Sequence, residues 1–110
     1  MNPKMEIVID LLAELYDLPK DAIQPEFFDF LKIVSNGAKK YSMNNWLDPQ
    51  GSSNSHKEMH SSIFRHIADS YGMNTRDRES GEDPLLHAQC RCAMSYTLRK
   101  RGIVHSKDTV

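Results

Sequence analysis

Long apolar runs are absent from this sequence of 110 residues. No stretch approaches the roughly 20 consecutive apolar side chains that a helix needs to cross a bilayer. The first residues, Met-Asn-Pro-Lys-Met-Glu, also lack the cationic start and apolar core of a signal peptide. We therefore expect a cytoplasmic protein without membrane contact.

An excess of charge of either sign is absent as well. The chain has 14 basic and 15 acidic residues, which gives a formal net charge of -1. Non-specific binding to duplex nucleic acid depends on a basic surface that neutralises phosphates. The cationic cluster at residues 99–101 falls in the last turn of a predicted helix, where the helix dipole accounts for it. Nucleic acid is therefore not an expected partner.

Cysteine is scarce, with only Cys90 and Cys92. Side chains two positions apart on a helix diverge, so a bridge between these two is geometrically poor. Two free thiols suit a reducing compartment. The sequence also lacks a glycine-rich phosphate loop, a Ser-His-Asp order and a nucleophile elbow. These absences exclude the enzyme classes that those motifs define.

Apolar spacing and turn signals divide the chain into four predicted helices, so we expect one small all-α domain over residues 1–110. The first helix covers residues 5–16, although residues 7–9 alone also fit a short strand. The second opens at Pro25, and Gly37 falls near its end or at a break. Its predicted apolar face consists of Phe27, Phe28, Leu31, Ile33 and Val34.

The third helix has the clearest start signal. Ser55 and Glu58 form a capping box, in which each side chain satisfies a backbone donor of the first turn. It predicts a helix over residues 56–71 that ends at Gly72. Because His66 falls on the apolar stripe of this helix, it is expected to point inward or toward a cleft. The stripe consists of Met59, Ile63, His66, Ile67 and Ser70.

The fourth helix is predicted to begin with Asp83 as N-cap and Pro84 at the first position, and to end before Gly102. Its core stripe consists of Leu86, Cys90, Ala93, Met94, Thr97 and Leu98. Outside the helices, residues 48–56 should form a long exposed polar loop and residues 103–110 a loose tail. The histidines expected to face solvent are His56, His60 and His105.

Acidic side chains gather in the predicted loop between His66 and His87. Two imidazoles with one or two carboxylates bind a divalent cation or position a water for attack on phosphorus. Alternatively, the loop is a polar corner in which Glu79 caps a helix and the histidines fill the interface. Asp69 either pairs with Arg65, four residues earlier, or adds a metal ligand beside His66. The charged loop residues are Arg76, Asp77, Arg78, Glu79, Glu82 and Asp83.

A second chemically rich segment follows Gly37. It holds amines suited to phosphate, an indole suited to stacking and an amide suited to a base edge. The segment can therefore cradle a nucleotide. Alternatively, it is a helix end whose tryptophan anchors the loop. The residues are Lys39, Lys40, Tyr41, Asn45 and Trp46.

Five short motifs carry a family resemblance. They occur in the order Gly37-Ala38-Lys39-Lys40-Tyr41, Asn45-Trp46, Arg65-His66, Asp77-x-Glu79-Ser80-Gly81 and Leu86-His87-Ala88. Over about residues 30 to 102 the chain resembles the phage-borne dATP/dGTP diphosphohydrolase-like domain family. The resemblance implies an α-helical domain working in the host cytoplasm. It would cleave a purine deoxynucleoside triphosphate to the monophosphate and pyrophosphate with a divalent metal, Mg²⁺ or Mn²⁺.

The resemblance also implies residue roles. Glu79, His66 and His87 would act in catalysis and hold the metal. Independently of the resemblance, the clustering of acidic residues around these histidines makes Asp69 and Asp77 candidates for a further metal ligand. The substrate would contact Lys39, Lys40, Asn45, Trp46 and Arg65.

Pro84 departs from the family's pattern, because a second histidine often stands there, three residues before the one matching His87. This departure motivates an alternative function, a non-catalytic helical module that binds a host or phage protein. A domain of this size buries only about two-thirds of its extended surface. A homo-oligomer would therefore gain stability.

Overall fold

The computed structural model describes residues 1–50, 55–72, 76–77 and 80–108. Within this part of the chain the regular structure is helical and no strand forms. The α-helices are α1 (Pro3–Tyr16), α2 (Leu31–Lys40), α3 (His56–Tyr71) and α4 (Pro84–Lys100). Short 3-10 turns lie at Lys20–Ala22, Pro25–Phe28, Asn45–Leu47 and Ser106–Asp108. The predicted all-α fold is confirmed, and residues 7–9 belong to α1 rather than to a strand.

Side-chain caps define the starts of α3 and α4. Ser55 Oγ accepts the Glu58 backbone N–H at 3.2 Å, and Asp83 Oδ1 accepts the Leu85 N–H at 2.9 Å. Each bond satisfies a donor that the first turn of a helix leaves without an intrahelical partner. After α4, Gly102 adopts a left-handed φ of 68°, which glycine tolerates without steric cost. These predicted boundaries are confirmed.

The core of the domain lies between α3 and α4, which pack as an antiparallel hairpin. His66 stacks on His87 near the connecting loop, and His60 contacts Ser95 about two turns further along the pair. Met59 is fully buried. The other buried residues of the two helices are Ser62, Ile63 and His66 on α3, and Pro84, Ala88, Cys90, Ser95 and Leu98 on α4.

The predicted apolar stripes of this hairpin are buried along their centre lines, whereas some residues at their edges are exposed. Ile67 is 46% exposed, and Ala93 is also exposed. Periodicity marks residues that favour burial, whereas the arc that is covered depends on where the partner helix lies. Both cysteines are free, as predicted, with Cys90 buried and Cys92 exposed. Burial raises the pKa of the Cys90 thiol.

The second helix differs from its prediction. Pro25 opens a 3-10 turn, and α2 begins only at Leu31. Gly37 lies inside α2 rather than at its end or at a break. Much of the predicted apolar face is exposed, with Phe27 51% and Leu31 52% exposed. The contacts of α2 with the hairpin are mainly contacts with α4.

The N-terminal helix packs chiefly on the 3-10 turn Lys20–Ala22. Ile9 and Ala13 of α1 form a small buried cluster with Ile23. The radius of gyration is 15.8 Å, compared with about 13 Å for a compact chain of this length. The domain is therefore elongated. Among the described residues, none of the helices has the length and apolar content needed to traverse a bilayer.

Residues 103–108, which the sequence predicts to be a loose tail, instead fold back on the start of α3. The Ser106 N–H donates to the Pro49 carbonyl at 2.8 Å, and Asp108 Oδ2 accepts the His56 N–H at 2.7 Å. His105 is only 5% exposed. The tail prediction is wrong for these residues because the helix start offers a free donor that a remote carboxylate can satisfy.

The predicted exposure of the two histidines that begin α3 is also wrong in part. His56 and His60 are half-buried, with ring centroids 4.1 Å apart. His60 Nε2 lies 3.1 Å from Ser95 Oγ. In the predicted polar loop, residues 48–50 are exposed and Ser55 is buried at its cap position. Residues 51–54 lie outside the described part of the chain.

The Asp108→Ala variant should lower the free energy of unfolding by about 1 kcal/mol, because it removes the acceptor for the first-turn N–H of α3. The expected fall in Tm is about 4 to 8 °C. Thermal and urea denaturation followed by circular dichroism measure it. Lys107→Ala is the control, since it removes the exposed ion pair with Glu58, at 3.2 Å, and loss of a surface pair should cost under about 0.5 kcal/mol. Equal losses in both variants would contradict the capping role.

Candidate functional site

The antiparallel register of α3 and α4 brings two histidines together at the loop end of the hairpin. The rings of His66 and His87 stack, with centroids 4.8 Å apart and planes inclined by 16°. His66 comes from the second half of α3, and His87 from the first turn of α4. These are the two imidazoles that the sequence places on either side of the acidic loop.

His66 is the electrostatically distinctive member of the pair. It is 8% exposed, and its Nδ1 finds no hydrogen-bond partner among the described residues. Burial lowers its pKa, and the charges of His87 and Arg65 lower it further, whereas Asp77 and Asp69 act in the opposite direction. Its imidazole is therefore neutral at pH 7, with Nδ1 able to accept or donate a proton.

His87 is held by the loop. Its Nε2 lies 2.7 Å from Ser80 Oγ. The Ser80 N–H in turn donates to Asp77 Oδ2 at 2.9 Å, and the Asp77 N–H donates to the Glu82 carbonyl at 2.7 Å. These hydrogen bonds connect Asp77, Ser80 and Glu82 and place the serine hydroxyl against the imidazole. Sequence reasoning missed this role of Ser80, although the residue stands within the Asp77-x-Glu79-Ser80-Gly81 motif.

The remaining predicted metal ligands are only partly assembled. Asp77 and Asp69 both lie within electrostatic reach of His66, and Arg65 lies beside it on α3 as an exposed cation. Glu79, the central residue of the prediction, lies outside the described residues. Among those that are described, no three histidine, cysteine or acidic side chains gather closely enough to hold a metal ion.

The stacking geometry explains why the imidazole pair is not a metal site by itself. A metal ion binds an imidazole nitrogen in the ring plane at about 2.1 Å. The nearly parallel rings of His66 and His87 direct their in-plane lone pairs side by side rather than toward one point. Nitrogen donors also suit Mg²⁺ less well than carboxylate oxygens do. The described residues therefore do not fit Mg²⁺ as a complete site.

The predicted nucleotide cradle lies apart from this corner. Trp46 packs beside Leu98 and His105, around a cavity of about 20 Å³, which is room for about one water molecule. Leu98 follows His87 by eleven residues, or about 16 Å along α4. The structure therefore places Trp46 at the opposite end of the hairpin from the histidine pair.

The other residues of that cradle are open to solvent. Lys39, Lys40 and Asn45 are all exposed, and Lys40 Nζ lies 5.3 Å from the centroid of the Tyr41 ring. Trp46 is half-buried. This placement matches the alternative interpretation, in which the tryptophan anchors the loop that follows α2.

Fold and site together define an all-α domain with a stacked imidazole pair at the loop end of a helical hairpin. A family model described as dATP/dGTP diphosphohydrolase, N-terminal, matches residues 19–107. The chain belongs to this family, which confirms the resemblance. The match leaves out α1. No curated protein and no solved structure matches the chain.

The lowered pKa of His66 predicts a pH dependence of stability. The native state takes up this proton at lower pH than the unfolded chain, whose histidine has an ordinary pKa of 6.5. The His66 contribution is therefore fully present above about pH 6.5 and is lost as the pH falls from there through the native pKa. Urea denaturation between about pH 8 and 5, in a chelator, should show a shallower fall for His66→Gln than for the wild type. Equal slopes would contradict the assignment.

The Ser80→Ala variant should change the tautomer balance of His87, because it removes the hydroxyl from Nε2. We expect altered ring ¹⁵N shifts for His87 in long-range correlation spectra at about pH 7.5, with a stability loss of no more than about 1 kcal/mol. Ser61→Ala, on the exposed side of α3, is the control and should leave those shifts unchanged. Unaltered His87 shifts in Ser80→Ala would show that the bond does not form in solution.

Proposed function

We propose that the chain is a nucleotide pyrophosphohydrolase domain that cleaves a purine deoxynucleoside triphosphate to the monophosphate and pyrophosphate. Its membership of the dATP/dGTP diphosphohydrolase N-terminal family supports this substrate class. The observation that carries the proposal is the buried imidazole of His66, which is neutral and whose Nδ1 has no partner among the described residues. This imidazole is close enough to the carboxylates of Asp77 and Asp69 for their charges to act on its pKa.

In the proposed reaction His66 is the general base. A water oxygen forms a bond to the α-phosphorus as its proton passes to the imidazole of His66, and the bond between the α-phosphorus and the α,β-bridging oxygen breaks so that pyrophosphate leaves. Efficient proton transfer needs an imidazole that is neutral at working pH, and burial supplies that state. The Ser80 hydroxyl lies 2.7 Å from His87 Nε2 and holds the His87 ring in place. That ring stacks on one face of the His66 imidazole.

A divalent metal, Mg²⁺ or Mn²⁺, remains part of the proposal. Mg²⁺ is commonly bound by one or two carboxylates together with substrate phosphates rather than by a complete protein cage. We therefore assign its protein ligands to Glu79 and Asp77, with Asp69 as a further carboxylate, rather than to the two imidazoles. When bound, the metal would neutralise phosphate charge.

Substrate contacts are proposed chiefly for Arg65, because its exposed guanidinium lies next to His66 on α3. A guanidinium suits phosphate oxygens through paired hydrogen bonds. Lys39, Lys40, Asn45 and Trp46 remain a second binding segment in the proposal. The distance of Trp46 from the histidine pair assigns that segment to the far end of the nucleotide or to a separate molecule.

Pyrophosphate release from each deoxynucleoside triphosphate, with Mg²⁺ or Mn²⁺, tests the proposal. Release should be fastest with the purine substrates, and His66→Asn and Glu79→Ala should each lower kcat by about 100-fold or more. His60→Gln is the matched control, an imidazole on the same helix about two turns away that should leave kcat within about twofold. No pyrophosphate above the Glu79→Ala background would sink the proposal, as would equal losses in His60→Gln and His66→Asn.

The second candidate function is a non-catalytic module that binds a host or phage protein. Two observations favour it, namely Pro84 at the place of a family histidine and a matched family that describes an N-terminal region. The two functions differ in their response to nucleotide. A rise in Tm with a purine deoxynucleoside triphosphate that needs divalent metal supports the hydrolase, whereas no rise with any nucleotide supports the module.

A further inference from the structure

The contact between Ser80 and His87 has the geometry of a nucleophile with its base. Ser80 Oγ lies 2.7 Å from His87 Nε2, within the reach of about 2.6 to 3.2 Å that joins an activated hydroxyl to a general base. A serine hydroxyl is a weak nucleophile by itself and becomes reactive when such a base takes its proton. The proposed pyrophosphohydrolase reaction gives this hydroxyl no chemical step.

The hydrogen bonds of Ser80 orient its hydroxyl. The Glu82 N–H donates to Ser80 Oγ at 3.1 Å, which uses part of the acceptor capacity of that oxygen. The hydroxyl hydrogen is then available for donation to His87 Nε2, the arrangement in which the imidazole serves as base. The Ser80 N–H donates to Asp77 Oδ2 at 2.9 Å, so the backbone of the serine is held as well.

The base of such a pair has to be oriented by a third group, and His87 meets this requirement. Its ring stacks on His66, with centroids 4.8 Å apart and planes inclined by 16°. Its backbone belongs to the first turn of α4, where Asp83 Oδ1 accepts the Leu85 N–H at 2.9 Å. Ring stacking and a capped helix together keep the imidazole against the loop serine.

Access distinguishes this pair from the serine–histidine contact further along the hairpin. Ser95 Oγ lies 3.1 Å from His60 Nε2, but Ser95 is only 5% exposed. Ser80, in contrast, is exposed. A substrate can therefore approach Ser80, whereas the packing of α3 and α4 closes Ser95 to it.

The loop also restricts the class of substrate. Acyl transfer creates an oxyanion, which backbone N–H groups usually stabilise. The N–H groups of Ser80, Gly81 and Glu82 already donate within the loop, to Asp77 Oδ2, the Asp77 carbonyl and Ser80 Oγ respectively. These groups are therefore not free to bind an oxyanion. An ester with a good leaving group depends least on such stabilisation, so activated esters are the class that fits.

We infer that Ser80 is a nucleophile, with His87 as its general base, that accepts the acyl group of an activated ester. Ser80 Oγ forms a bond to the carbonyl carbon as its proton passes to His87 Nε2. The bond from that carbon to the leaving oxygen breaks, and the leaving oxygen takes the proton from Nε2. Water then attacks the acyl carbon and gives a proton to Nε2. The carboxylic acid departs, and Ser80 Oγ regains its hydrogen.

This activity goes beyond the proposed pyrophosphohydrolase and does not depend on it. The hydroxyl and the imidazole supply nucleophile and base themselves, so the acyl transfer needs no nucleotide. The serine lies on a loop seven residues before its histidine, so the pair belongs to none of the motif-defined enzyme classes that the sequence excludes.

A fluorophosphonate, which bonds to an activated serine oxygen as fluoride leaves, tests the inference in a chelator and without nucleotide. The full chain carries Cys92→Ala, which removes the exposed thiol. Peptide mass spectrometry should place one label, on Ser80. His87→Gln should slow labelling by about 100-fold or more. Ser95→Ala is the matched control and should leave the rate unchanged. No label, similar labelling of several exposed serines, or equal losses in His87→Gln and Ser95→Ala would overturn the inference.

The activated ester p-nitrophenyl acetate tests the acyl transfer itself. Acid quenching should trap an acetyl group on Ser80, and His87→Gln should slow its formation by about 100-fold or more, with the helix content checked by circular dichroism. Unfolding in urea should abolish acetylation of Ser80, because it separates the serine from its base. Acetylation that persists in urea would identify an ordinary exposed hydroxyl and contradict the inference.

Discussion

The packing of α3 against α4 is the interaction on which the rest of the structure depends. Met59 is fully buried between the two helices, and the pairs His66 with His87 and His60 with Ser95 lie in one antiparallel register. A slip by one helical turn would move the partners apart by about 5.4 Å. The register that fills the core is therefore also the register that assembles the candidate site.

The two ends of this hairpin have different tasks. At the loop end, Asp77 accepts a hydrogen bond from the Ser80 N–H, and the Ser80 hydroxyl contacts His87. His66 is buried next to His87. At the other end, residues 103–108 fold back to satisfy the start of α3. At the loop end one buried atom, His66 Nδ1, has no hydrogen-bond partner among the described residues, and a functional role is one explanation for such an atom. Polar groups at the far end serve stability.

The family name indicates a class of chemistry, whereas the geometry bears on the role of the imidazoles. The family name points to deoxynucleoside triphosphate hydrolysis. The stacked rings of His66 and His87, inclined by only 16°, favour proton transfer and support over joint ligation of a metal. In the proposed reaction the carboxylates would hold the metal and the histidines would move the proton, in keeping with the donor geometry of each group.

Local chemistry let the sequence alone determine the fold class and the boundaries of α3 and α4. Ser55, Asp83 and Gly102 act on atoms within a few residues of themselves, so their roles could be predicted without the fold. The pairing of His66 with His87 also followed, because consecutive helices joined by one polar loop usually lie side by side. Their inward stripes then face each other.

Only the tertiary structure decided which segments that are distant in the sequence contact each other. The tail residue Asp108 caps a helix that begins 52 residues earlier, and Trp46 packs beside Leu98, which lies about 16 Å along α4 from His87. Periodicity could not show that Ile7, Leu11 and Leu15 of α1 stay exposed, since an apolar helix face has the same sequence pattern whether another element covers it or not. Burial depends on the position of the partner, and that position is a property of the whole fold.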